Sequence, residues 1–244
     1  MSEKKENLQV EISPEAEVVI NKAKGFWENY SKPIIYIGSA VIALILGWYG
    51  YQHFVKEPKE NSAKEMIFPA EKLFDQMANT GFNKDSVSIV LNGGTLEGNS
   101  ITGILKVISQ YGGTKAGNRA RYIAGASYLQ IGEYDKAIKY LKEFDGAGAS
   151  QIQSRAFLML GHAYAEQKKT TEALDFYKKA ASVNEKDEAI SSDALLTAAN
   201  YAKYTGKQKE AIDMLNKLKD KYPTSAPVMN GEVDKILASL GQFE

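Results

Sequence analysis

The sequence predicts an all-α protein: a single transmembrane helix followed by an α-solenoid of antiparallel helix pairs. Two observations carry this. Residues 33–51 form a run of 19 positions without a formal charge, enough for a helix about 28 Å long against a hydrocarbon core of about 30 Å. Residues 118–223 repeat one pattern of small, aromatic and leucine positions at helical spacing.

The chain has 244 residues, a net charge of zero, no cysteine and two histidines, His53 and His162. That leaves room for one span, a short tail and one medium domain. Zero net charge gives no electrostatic footprint for nucleic acid. Without cysteine there are no disulfides, thiolate metal sites or cysteine nucleophiles. Two distant histidines do not suggest a metal site.

Residues 1–32 are expected as a tail with a juxtamembrane amphipathic helix. Residues 1–12 are polar and charged, as disordered segments are. Ser13-Pro14-Glu15 reads as a helix start: a capping serine, a first-turn proline, and a carboxylate at the positive dipole end. Val19, Ala23, Phe26, Trp27 and Tyr30 then share one face. Phe26, Trp27 and Tyr30 suit the membrane interface, although a helix packed on a partner or extending the span has the same pattern. Pro33 is a place for a bend.

Residues 33–54 are the expected anchor. Tyr36, Trp48, Tyr49 and Tyr51 stand near its ends, where amphipathic rings favour headgroups. The bulky residues closing the run and the 32 residues before it do not resemble a cleaved leader. Lysines flank both ends equally, so charge does not set the orientation. Ser39, Ala43 and Gly47 recur every four residues, with Gly50 nearby, a spacing that lets another helix approach closely.

Residues 55–61 read as a polar linker. From residue 62, Met66, Ala70, Leu73, Phe74 and Met77 mark an amphipathic helix, with Pro69 placing its start near Phe68. Residues 62–117 are expected as an irregular helical beginning of the solenoid. Glycines divide 81–117 into short pieces. Ser86–Leu91 and Ile101–Ile108 are the short helices expected there, although residues 87–91 also fit a strand.

In residues 154–185, Phe157, Leu160, Gly161 and Tyr164 fall on one helix, and Ala173, Tyr177 and Ala180 on the next. This order and spacing match the tetratricopeptide repeat (TPR) of about 34 residues. Gly161 and Ala173 are expected to face each other where the helices cross. Upstream, Gly125, Tyr128, Ala137 and Leu141 occupy matching positions, with Arg121 where a large aromatic is usual. Downstream, Leu195, Ala199, Ala202, Ala211, Leu215 and Leu218 match again, and Pro223 closes the third repeat. Residues 224–244 read as a final helix, built on Val228, Val233, Ile236, Leu237 and Leu240, that covers the open end.

No phosphate loop, nucleophile elbow or zinc-protease signature appears. The expectation is a non-enzyme with no cofactor, metal or catalytic residue. The concave face of such a stack comes from the first helix of each pair. By repeat position it presents Arg119, Tyr122, Gln130, Arg155, Leu158, His162, Leu196, Asn200 and Tyr204. Rings, aliphatics and polar groups together suit a protein or peptide surface.

The order of parts resembles the YfgM-like family of membrane-anchored TPR proteins: charged tail, Phe26-Trp-Glu-Asn-Tyr30, one span, linker, TPR domain. Tyr111-Gly-Gly-Thr-Lys-Ala-Gly-Asn118 followed by Tyr122 and Gly125 looks like the form found in Bacteroidetes-type bacteria. The resemblance implies a single-pass inner-membrane protein, N-terminus cytoplasmic and TPR domain periplasmic. It implies association with the Sec translocon (SecY, SecE and SecG) and with PpiD, a membrane-anchored periplasmic chaperone. The expected function is an ancillary scaffold for proteins emerging from the channel. The alternative is a TPR adaptor of another envelope machine, for outer-membrane assembly or cell division. Membrane lipid is an expected partner and nucleic acid is not.

Overall fold

The structure is a computed structural model that describes residues 13–242. The first twelve residues, with the disorder expected for them, lie outside the described residues. The chain divides into two compact units, at Pro58 and Lys59.

In the first unit, α1 (Pro14–Tyr51) is continuous and is followed by a π-helical turn, Gln52–Lys56. Ser13 caps α1, its side chain accepting from the Ala16 amide at 3.3 Å. Pro33 does not end the helix. It removes one intrahelical hydrogen bond, and the ladder resumes on both sides. No residue of α1 is buried. An apolar core helix would be covered by its own protein, whereas Leu44 is 74% exposed and Ile37 66%. Among the described residues, one helical stretch, near the N-terminus, has the length and apolarity to cross a membrane.

The next helix, α2 (Glu57–Thr80), changes two expectations. Residues 55–61 are helical rather than a linker. Pro58 stands just past the π turn, with Glu57 between them, close to where the regular ladder is already interrupted. The helix also passes through Pro69 instead of starting near it. Ala63 and Ile67, before the proline, are buried on the same stripe as Ala70, Leu73 and Met77. Their burial holds the turn that the proline weakens.

Next come α3 (Lys84–Asn92), a hairpin of β1 (Gly93–Leu96) and β2 (Asn99–Thr102), and α4 (Ile104–Tyr111). Residues 87–91 are thus helical, and the Ile101–Ile108 helix is split, since Ile101 and Thr102 belong to β2. The strands pair antiparallel, Leu96 opposite Asn99. Glu97 and Gly98 between them have φ of 51° and 80°, the two left-handed residues of a type I′ turn.

The remaining helices are α5 (Lys115–Gln130), α6 (Tyr134–Lys142), α7 (Ser150–Glu166), α8 (Thr170–Ser182), α9 (Glu188–Tyr204) and α10 (Gln208–Lys221). Each packs on the next, and α5, α7 and α9 also touch in succession to form an inner layer. The C-terminal helix expected after Pro223 is two: α11 (Ala226–Met229) and α12 (Glu232–Ser239). Gly231, at φ 73°, turns the chain between them. One core of buried residues runs from Ala63 to Leu237.

Leu160, Leu174 and Leu215 lie at the centre of this core. Leu215→Ala is expected to cost about 3 kcal/mol through lost burial and a residual cavity. The check is the urea unfolding midpoint of the protein in detergent, which falls at unchanged slope.

Candidate partner-binding groove

The packing of the repeats fixes where the inner layer points. Gly125, Tyr128, Ala137, Leu160, Gly161, Tyr164, Ala173, Tyr177, Ala180, Ala199 and Ala211 are buried, Phe157 is half-buried, and Pro223 is exposed. At the crossing expected between Gly161 and Ala173, the atoms nearest Gly161 belong to Tyr177, one turn beyond Ala173. A Cβ at Gly161 would stand 2.4 Å from the Tyr177 ring, and one at Gly125 would stand 2.4 Å from Leu141. The missing side chain makes room for the larger residue one turn beyond the small one. Side-chain bonds then tie each repeat to the next: Tyr134 to Glu166, Gln167 to Asp135, and Lys178 to Glu210.

Arg121 explains its own departure from the pattern. Its Nη1 donates to the Gly112 carbonyl at 2.7 Å, and its Nε reaches Glu143 at 3.4 Å. The guanidinium therefore secures the turn between α4 and α5, which an aromatic ring could not do. The start of α5 is fully satisfied. Thr114 Oγ1 accepts from the Gly117 amide, and the Glu60 carboxylate accepts from the Lys115 and Ala116 amides at 2.8 and 3.2 Å.

Of the nine concave-face residues, Arg119, Gln130, Arg155, His162, Asn200 and Tyr204 are exposed, and Tyr122, Leu158 and Leu196 are half-buried. Three of them, Arg119, Tyr122 and Arg155, line one cleft of about 800 Å³. The other six do not line it. Its remaining walls include Glu71 and Phe74 of α2, Phe144 beyond α6, and Ile152 of α7. Those four were not legible as site residues, because they lie outside the repeat positions that identify a concave face. Arg119 is held by both oxygens of Glu71, at 2.9 and 3.1 Å. The Tyr122 and Phe144 rings lie 5.2 Å apart. Burial raises the pKa of the Tyr122 hydroxyl, and the nearby Arg155 charge opposes the rise.

Further along the layer, His162 Nδ1 and the Tyr177 hydroxyl share a hydrogen bond of 2.9 Å. Burial, with Tyr201 and Glu166 nearby, raises the Tyr177 pKa, so the phenol keeps its proton. Although His162 is exposed, its ring packs against Tyr177, and the partial loss of water there lowers its pKa, opposed in part by Glu166. The folded value lies below the unfolded one, about 6.5. The unfolded chain therefore binds the proton more readily, and this stabilisation is complete above that pH and declines as pH falls through it. The melting temperature should fall between pH 7.5 and 5.5, and His162→Gln should flatten that fall. An unchanged slope in the variant would remove His162 as its source.

Among the described residues, no group of three or more His, Cys, Asp or Glu is placed to hold a metal ion.

Stacked helix pairs with an open groove define a helical-repeat protein. Models of the tetratricopeptide repeat match residues 119–145, 154–187 and 193–225. The chain thus carries tetratricopeptide repeats, modules that mediate protein–protein interaction, in an all-α solenoid with an apolar N-terminal helix. No curated protein matches the chain. Among solved structures, "MamA RS-1 ArsTM double mutant" is similar, with 18% identity and a TM-score of 0.46, over 81% of this chain and 93% of that one.

Proposed function

We propose that the chain is a non-enzymatic ancillary subunit of the Sec translocon, with residues 33–54 anchored in the inner membrane. The N-terminus is cytoplasmic, and the repeats stand in the periplasm, where they hold a PpiD-like chaperone beside emerging polypeptides. One observation carries the reading: an apolar helix with no buried residue belongs to the same chain as an interaction solenoid. Tethering brings the chaperone to an effective concentration on the order of millimolar at the channel exit without new chemistry. Ser39, Ala43, Gly47 and Gly50 supply the contact with the channel. A Cβ at Gly47 or Gly50 meets nothing within 4 Å, so that face is open to a partner helix.

Affinity purification in mild detergent tests this. SecY, SecE, SecG and a PpiD-like chaperone are expected to co-purify, and Gly47→Leu should reduce the channel subunits specifically. Recovery of outer-membrane assembly or division proteins in their place would reassign the scaffold.

A further inference from the structure

The cleft between α2, α5 and α7 holds three arginines in different situations. Glu71 neutralises Arg119, and Glu143 with the Gly112 carbonyl engages Arg121. Arg155 has no carboxylate partner among the described residues, although it is exposed on the cleft wall. Lys115 at the same cleft adds a second positive charge. Two carboxylates also line the cleft, Asp75 on the α2 wall and Asp145, whose Oδ1 accepts from the Ala147 amide, so recognition rests on Arg155 with its apolar neighbours and not on net charge. The same cleft presents apolar side chains: Ile152, three residues before Arg155 on α7, is 44% exposed, and Phe74 and Phe144 are half-buried. A guanidinium without an ion pair, in a cleft with partly open apolar side chains, is complementary to a carboxylate next to an apolar side chain. The volume suits a few side chains of an extended segment rather than a folded domain.

We infer that this cleft binds an extended stretch of a partner polypeptide in which an internal aspartate or glutamate adjoins a large apolar residue. The carboxylate pairs with Arg155, and the apolar side chain packs on Phe74, Phe144 and Ile152. The assignment to a polypeptide rests on the scaffold reading above.

The test uses the full-length protein in detergent micelles and a fluorescein-labelled peptide, Gly-Ser-Gly-Trp-Asp-Leu-Glu-Gly-Ser-Gly, followed by anisotropy. The acidic peptide should bind at least about tenfold more tightly than its Asn/Gln counterpart, the factor one charge-assisted contact provides. Arg155→Ala should abolish that preference, and Arg155→Lys should keep part of it. Ile152→Ser should weaken both peptides. Equal affinity for the two peptides, or an acid preference that survives Arg155→Ala, would overturn the inference. If the acidic peptide fails to bind while channel subunits still co-purify, the cleft assignment falls alone. If it binds as stated and no channel subunit co-purifies, the translocon reading falls alone.

Discussion

Gly117→Ala should destabilise the repeat domain by about 3 kcal/mol or more, the upper end for forcing an atom into a filled space. A Cβ at this position would lie 2.1 Å from the Tyr111 carbonyl oxygen, 2.7 Å from its carbon and 2.9 Å from Gly112 Cα. All three are main-chain atoms, so no rotamer change relieves the clash. Opening the turn would also pull the Gly117 amide from Thr114 and the Gly112 carbonyl from Arg121. The melting temperature of the detergent-solubilised protein is therefore expected to drop by about 6–12 °C, at roughly 2–4 °C per kcal/mol for a domain of this size. Gly161→Ala should cost less, because the Tyr177 ring it meets is a side chain that can shift.

Removing residues 1–56 should change where the protein is found. Full-length protein is expected to sediment with membranes and resist alkaline extraction, while residues 57–244 should stay in the supernatant. The cause is the uncovered apolar surface of α1, which includes Val41, Ile42, Leu44, Ile45 and Leu46, and which water solvates poorly. A single charge tests the same point: Leu44→Arg places a guanidinium at mid-span, at a cost of about 3 kcal/mol. Full-length protein that remained in the supernatant after lysis would refute the anchor.

The repeats were legible because their geometry is local. Gly125 with Leu141, Gly161 with Tyr177 and Ala199 with Leu215 recur at one offset, and that offset is set by two helices and a short turn. The hairpin was not legible. Its turn places Glu97, a residue with a Cβ, in the left-handed region, so Glu-Gly stands where Asn-Gly or Asp-Gly would have signalled it. The course of α2 through Pro69 was hidden for a different reason. Burial of Ala63 and Ile67 overrides the local cost of the proline, and burial depends on distant partners. The nine inner-layer positions followed from the repeat pattern. The cleft did not, because Glu71, Phe74 and Phe144 come from outside those positions, and because only the ion pairs distinguish Arg155 from Arg119.

Glu60 sets the smallest piece of this chain that can stand alone. Its carboxylate satisfies the Lys115 and Ala116 amides from 55 and 56 residues upstream. Cutting at residue 62, where the composition turns amphipathic, or at residue 118, where the periodicity begins, discards that acceptor and leaves donors bare. A soluble version intended for crystals or binding assays should therefore keep every residue from Glu57 onward, and shorter versions should fray from their leading edge.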